Sequence, residues 1–140
     1  MTQNIYAKGT SADDTLVGGA GRDTLDGGAG NDLLHGGRNT DLLIGGQGLD
    51  YMVGGGGADT FAFGPGDTGI GLGRRDVIAD FAAHDKMDLR GFAQAGHTVS
   101  TKVLLEDDHD VVQVLLDGQV TAEIQASGHY HWSEDDFILA

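Results

Sequence analysis

Six aspartates recur nine residues apart: Asp14, Asp23, Asp32, Asp41, Asp50 and Asp59. Each holds the sixth place of one of six consecutive units, GTSADDTLV, GGAGRDTLD, GGAGNDLLH, GGRNTDLLI, GGQGLDYMV and GGGGADTFA, which run from Gly9 to Ala62. Glycines lead up to each carboxylate. They are Gly18, Gly19 and Gly21 in the second unit, and Gly27, Gly28 and Gly30 in the third. Gly36 and Gly37 precede Asn39 in the fourth, Gly45, Gly46 and Gly48 stand in the fifth, and Gly54, Gly55 and Gly57 in the sixth. Glycine permits positive φ and close backbone approach, so such turns can aim carbonyl oxygens inward while the aspartate adds a charged one. An all-oxygen donor set suits calcium, which takes about six to eight ligands in flexible geometry. Zinc or copper would ask for His or Cys at fixed spacing, and the repeat supplies neither. The aspartates and turn glycines, with Asn39, are therefore the candidate metal ligands, and Ca2+ is the expected cofactor.

The same spacing defines the scaffold. Each unit divides into a six-residue turn and a three-residue strand whose middle residue points inward. That eighth place holds Leu16, Leu25, Leu34, Leu43, Met52 and Phe61. Two units make one coil of eighteen residues, so alternate units stack on the same side. Asp14, Asp32 and Asp50 then line one edge and Asp23, Asp41 and Asp59 the other. Stacked carboxylates lie about one strand spacing apart, roughly 4.8 Å, where two bare charges repel by about 3.5 kcal/mol at an effective dielectric near 20. Cations between successive turns convert this repulsion into cohesion. The repeat holds four same-side neighbour pairs, so about four ions are expected, with one or two more at the ends. The flanking Leu42, Ile44, Tyr51 and Val53 point outward and are expected to pack against the C-terminal half.

Composition narrows the function. The chain has 140 residues, with 8 basic against 22 acidic, a net charge of −14. Such a molecule repels nucleic acid and anionic membranes and attracts divalent cations. It has no cysteine, hence no disulfide or thiolate site. No apolar run reaches the length of a membrane span, and the opening MTQNIYAKGTS lacks the apolar core of a secretory signal peptide. There is no H-E-x-x-H, no cysteine nucleophile and no G-x-S-x-G, so no enzymatic activity and no catalytic residue is expected.

Beyond the repeat, residues 99–105, 111–116 and 119–126 read as strands by their β-branched content. Asp117-Gly118 is a tight hairpin turn, and Glu106 to Asp110 a looser one. This half is expected to form an antiparallel cap, because the last strand of a solenoid is otherwise an exposed edge. Ser133 is placed to cap one helical turn over Glu134 to Asp136. Asp67, Asp76, Asp80, Asp85 and Asp88 are either further ligands or turn formers and solvated strand ends. His129 and His131 alternate beside Trp132, which suits surface or interface packing better than a transition-metal site.

The pattern resembles the nonapeptide repeat of RTX (repeats-in-toxin) proteins, GGxGxDxUx with U a large apolar residue. That resemblance implies an all-β fold, a parallel β-roll (a right-handed β-solenoid) with calcium in its turns. It implies side-chain ligation by the sixth-place aspartates, and carbonyl ligation or hinge roles for the turn glycines. Two units depart from the pattern. The first has Thr10 and Ala12 where glycine is usual, and the fourth has Asn39, a residue tolerant of left-handed φ. The segment FAFGPGDTGIGLGRRDVIADFAAHDKMDLRGF resembles the stretch after the roll in serralysin-type secreted metalloproteases, where DxIxDF and DKIDL-like strands close the spiral. The last residues, Ser133 to Ala140, resemble the uncleaved C-terminal export signal of that group, read by a type I ABC exporter. The resemblance thus implies one secreted bacterial domain over residues 1–140. Repeats occupy 9–62, roll continuation and closure 63–92, and cap with secretion signal 93–140. Its expected role is to fold on binding Ca2+ after export, supporting secretion and stability. The alternatives are a polysaccharide-binding module, as in alginate-modifying enzymes, and an enzyme concealed in the C-terminal half.

Overall fold

A computed structural model describes residues 3–69, 73–94 and 96–140. The repeat yields β1 (Tyr6–Lys8), β2 (Thr15–Gly19), β3 (Thr24–Asp26), β4 (Leu33–Arg38), β5 (Leu42–Ile44), β6 (Tyr51–Gly56) and β7 (Thr60–Ala62). After it come β8 (Asp76–Ile78), β9 (Lys86–Asp88), β10 (Val99–Leu105), β11 (His109–Leu116), β12 (Gln119–Ser127) and β13 (Phe137–Ile138). Short 3₁₀ turns at Arg90–Phe92 and Glu134–Asp136 are the only helical segments among the described residues.

The strands sort into two sheets by parity. One runs in the order β1-β3-β5-β7-β9-β13, and every pair in it is parallel. The other runs β2-β4-β6-β8 in parallel and continues through β12, β11 and β10. Period-two alternation turns the middle residue of each short strand inward. Leu25, Leu43, Phe61 and Met87 therefore stack from one sheet, and Leu16, Leu34, Met52 and Ile78 from the other. Leu25, Leu34, Leu43, Met52, Phe61, Ile78 and Met87 are fully buried. This is the parallel β-roll that the nine-residue period implies.

The C-terminal half builds an antiparallel meander, β10-β11-β12. The turn at Asp117 and Gly118 takes φ of 52° and 84°, the left-handed pair that tight hairpins need. β12 then pairs in parallel with β8, Ile124 opposite Asp76, so the meander extends the second sheet edge to edge. It does not lie over the sheet's outer face, and Tyr51 stays 46% exposed there. The expected packing of Tyr51 against the C-terminal half fails because in-plane hydrogen bonding satisfies the β8 edge first. The tail returns to the other sheet, where β13 pairs with β9. Asp136 accepts a hydrogen bond from the Ser133 N–H at 2.7 Å as the chain enters it.

An aromatic group fastens the tail. Phe81 stacks on Trp132 with centroids 4.7 Å apart, and Trp132 stacks on Phe137 at 5.6 Å. Fully buried Asp110 aims the segment by accepting from Tyr130 N at 2.9 Å, Trp132 Nε1 at 2.8 Å and His129 at 2.7 Å. His129 is thus a partner of Asp110, whose carboxylate raises the pKa of its imidazole.

Candidate metal centre

The sixth-place aspartates stand in two columns, one at each turn edge. In the first, Asp14 N–H donates to Asp32 Oδ1 at 2.7 Å, Asp32 N–H to Asp50 Oδ1 at 2.9 Å, and Asp50 N–H to Asp76 Oδ1 at 3.0 Å. In the second, Asp23 N–H donates to Asp41 Oδ1 at 2.8 Å, Asp41 N–H to Asp59 Oδ1 and Asp59 N–H to Asp85 Oδ1, both at 2.9 Å. Each carboxylate thus turns one oxygen back to the preceding coil. The two same-side edges arise from the eighteen-residue coil, as the spacing predicts. The last step of each column spans 26 residues, since the connection from β7 to β8 is longer than a repeat turn.

The second oxygen behaves differently. Asp23, Asp32, Asp41, Asp50, Asp59 and Asp76 each leave Oδ2 buried without a hydrogen-bond partner among the described residues. All six side chains are buried, with residue exposures between 0% and 3%. A buried carboxylate oxygen without a donor is costly, and repeating that cost at a fixed register is what a cation-binding column requires.

The glycines complete the enclosure. A β-carbon on Gly18 would lie 2.4 Å from Asp23 Oδ2 and 2.5 Å from the Gly36 carbonyl oxygen. On Gly27 it would meet Asp32 Oδ2 at 2.5 Å and Gly45 O at 2.6 Å, and on Gly36 it would meet Asp41 Oδ2 at 2.5 Å and Gly54 O at 2.7 Å. Oxygens of two successive coils therefore converge beside Gly18, Gly27 and Gly36. They lie close enough to share an ion at the calcium–oxygen distance of about 2.3–2.6 Å. A β-carbon on Gly45 would lie 2.4 Å from Asp50 Oδ2, and one on Gly54 2.4 Å from Asp59 Oδ2. The second-place glycines are needed for another reason. Gly37 has φ 115°, and its α-carbon faces the Gly19 carbonyl of the coil before it. Asn39 takes φ 73°, so the fourth turn keeps the left-handed residue its glycine-containing relatives have.

Among the described residues, no three carboxylate or imidazole side chains gather into a metal-holding group. The enclosures instead pair one carboxylate oxygen with main-chain carbonyls. Hard oxygens, a single repeated charge and glycine walls match calcium and do not match a transition metal. The residues present therefore fit the ion that the repeat implies.

The electrostatics of the carboxylate columns point the same way. Burial, opposed in part by the N–H each accepts and reinforced by neighbouring carboxylates, pushes the Asp50 pKa up to about 7, that of Asp59 to about 6 and that of Asp76 to about 8. Burial also raises Asp32, Asp41 and Asp85. A divalent ion removes this penalty by supplying the opposite charge.

Two features escaped sequence reasoning. Asp76 and Asp85, left open between ligand and turn former, continue the columns past the repeat; the DxIxDF and DKMDL strings were the available signal. An outer Asx series also links coils, Asn31 N–H to Asp13 Oδ1 at 2.8 Å and Leu49 N–H to Asn31 Oδ1 at 2.9 Å. Asp80 accepts from Gly54 N–H at 2.9 Å and Gly55 N–H at 2.7 Å, while Asp88 pairs with Arg90 at 2.7 Å.

Comparison with known proteins agrees with this geometry. Residues 8–43 and 35–70 match the RTX calcium-binding nonapeptide repeat family, in four copies. No match is found among curated protein sequences. A subunit of the mannuronan C5-epimerase from Azotobacter vinelandii, solved in solution, is 27% identical with a TM-score of 0.66, covering 99% of this chain and 93% of that one. The extracellular lipase LipA of Serratia marcescens is 26% identical with a TM-score of 0.72, covering 96% of this chain, which spans only 21% of the lipase. Repeat phase, sheet order and likeness converge: residues 8–70 are RTX calcium-binding nonapeptide repeats, and the chain folds as a parallel β-roll.

Proposed function

We propose that this domain folds on binding several Ca2+ ions outside the cell, and that the folded roll stabilises a secreted bacterial protein and supports its type I export. The observation that carries this reading is the series of buried, unpartnered carboxylate oxygens at Asp23, Asp32, Asp41, Asp50 and Asp59. Their charges oppose the fold until a cation joins them to the carbonyls of successive coils, with Gly36, Gly45 and Gly54 contributing oxygens. At cytosolic calcium the columns stay uncompensated and the chain is export-competent. At about 1 mM extracellular calcium, a site of about 0.1 mM affinity contributes roughly 1.4 kcal/mol, so a handful of sites matches the stability of a small domain. The tail from Ser133 to Ala140 serves as the exporter's signal in this reading. The repeat portion, 9–62, its closure, 63–92, and the cap, 93–140, act as one non-catalytic unit. No helix among the described residues is long and apolar enough to cross a membrane.

Circular dichroism during a calcium titration tests the reading, with magnesium as control. Cooperative appearance of β-structure at sub-millimolar to millimolar calcium, with little response to magnesium, is the expected outcome. An equally ordered fold in excess chelator at neutral pH refutes it.

A second reading, binding of an anionic polysaccharide, has one specific observation in its favour. Arg22, Arg90 and three threonines, with Asp23, Asp41 and Asp88 among them, line a shallow depression of about 310 Å³ on the outer face of the first sheet, and a mannuronan epimerase subunit shares the fold along nearly its whole length. Retardation in an alginate gel that Arg22→Ala abolishes supports it; unretarded migration removes it.

A further inference from the structure

We propose that the free edge of β10, beside the groove it shares with the C-terminal tail, is a docking site for an extended segment of another protein, one that carries lysine or arginine and is apolar at alternate residues. The segment adds a strand to the cap by main-chain hydrogen bonding. This goes beyond the calcium reading, which concerns the turns of the roll.

β10 ends its seven-stranded sheet, with β11 on one side only. Two hydrogen bonds fix which backbone groups that pairing uses. Asp117 N–H donates to Thr98 O and Glu106 N–H to His109 O, both at 2.9 Å. In an antiparallel ladder such hydrogen-bonded pairs alternate with pairs whose N–H and C=O turn the other way. The register from Val99 to Leu105 is unbroken. Ser100, Lys102 and Leu104 therefore bond β11, while Val99, Thr101, Val103 and Leu105 direct N–H and C=O away from it. Such a row is a template for a further strand. It is seven residues long, and Leu105 at its end is 73% exposed.

The two sheets end unevenly. Past β8 and β9 the second sheet gains β12, β11 and β10, and the first gains only β13. Between β10 and the tail lies a groove of about 610 Å³, lined by Val99 and Thr101 on one side and by Phe137 and Leu139 on the other, with exposed Glu134 and Asp135 beside them. Val99, Phe137 and Leu139 pack on the core, so the groove is apolar beneath and acidic alongside. Neither Glu134 nor Asp135 makes an ion pair through its carboxylate among the described residues; Lys86 reaches the main-chain carbonyl of Asp135 instead. Asp107 and Asp108 stand exposed past the other end of β10. These charges favour a basic occupant with apolar side chains on its inner face. They disfavour a second copy of this chain, which brings a further net charge of −14. Full-length antiparallel pairing of two β10 edges, Val99 opposite Leu105, also sets Lys102 against itself, and like charges directly opposite are destabilising.

Fluorescence anisotropy tests the site, with the full chain in saturating calcium and a short fluorescein-labelled peptide of alternating valine and lysine as the probe. Saturable binding is expected. A counterpart with its backbone amides N-methylated, equal in charge, should bind more weakly by about tenfold or more, the loss that one or two backbone hydrogen bonds carry. A valine–glutamate counterpart should not bind. Thr101→Pro removes one outward N–H and no bond to β11, and it should weaken the valine–lysine peptide by about tenfold. Absence of saturable binding, equal binding of the N-methylated peptide, or unchanged affinity in Thr101→Pro overturns the proposal. Should Thr101→Pro lose its β-structure in calcium, the N-methylated comparison on the unsubstituted chain decides. Sedimentation of the chain alone completes the test: a monomer upholds the proposal, and a dimer that Thr101→Pro dissolves makes a second copy the occupant and refutes it. β-Structure that appears with calcium while the peptide fails to bind leaves the calcium reading standing, whereas a chain folded in chelator that still binds the peptide removes that reading and keeps this one.

Discussion

Asp41 occupies the middle of its column, and its removal isolates what one rung is worth. Its Oδ1 accepts from the buried Asp23 N–H at 2.8 Å, its own N–H donates to Asp59 at 2.9 Å, and its Oδ2 lies beside Gly36 with no hydrogen-bond partner among the described residues. Asp41→Ala forfeits one ion, about 1.4 kcal/mol when calcium is tenfold above the site's dissociation constant. It also strands the Asp23 N–H, which costs about 1–3 kcal/mol. The total is about 3 kcal/mol. Each decade of calcium contributes about 1.4 kcal/mol per bound ion, hence about 7 kcal/mol per decade for about five remaining ions. The folding midpoint should therefore rise about two- to threefold, with a shallower transition. Asp41→Asn keeps an oxygen for the Asp23 N–H and should shift the midpoint less. Asp107→Ala, at an exposed turn, is the control and should leave it in place. Circular dichroism against free calcium reads all three. If Asp41→Ala titrates like the unsubstituted chain, or no differently from Asp107→Ala, the ligand assignment is wrong.

Acidity should mimic calcium in part. The raised folded-state pKa values, about 7 for Asp50, 6 for Asp59 and 8 for Asp76, lie above those of the unfolded chain. Their contribution to the ion-free fold is therefore fully present below about pH 4 and is lost as pH rises through 6 to 8. Chelated protein is expected to hold more β-structure at pH 5 than at pH 8 by circular dichroism; the reverse order contradicts the burial argument. Among glycines, Gly36→Ala would push a methyl to 2.5 Å from Asp41 Oδ2, whereas a β-carbon on Gly56 meets nothing within 4 Å. Calorimetry in saturating calcium should show the first losing more than about 2 kcal/mol and the second less than about 0.5 kcal/mol, and equal effects would dissolve the distinction. Asp110→Ala strands three donors around a fully buried site. A loss of about 3 kcal/mol and a red-shifted Trp132 emission are expected, and an unshifted emission would show that the tail docks without it.

The period of nine was sufficient by itself to place every inward residue from Leu25 to Phe61, to assign the aspartates to two edges, and to name the ion. These are local consequences. A strand's alternation is set by its own backbone, and a turn of fixed length returns each carboxylate to the same height. The hairpin at Asp117-Gly118 was legible for the same reason. Folding in three dimensions settled the course of the chain where the period breaks. Asp76 rejoins its column after a longer loop because the sheet edge of β6 is there to receive β8, and no spacing rule encodes a 26-residue step. Whether a given carboxylate needs an ion was equally invisible in the pattern. Asp14 and Asp32 occupy the same place in their units, yet Thr10 donates to Oδ2 of the first, while Oδ2 of the second has no partner among the described residues. Partnership is a property of atoms brought together in space, and a repeat in the chain prescribes only which atoms are offered.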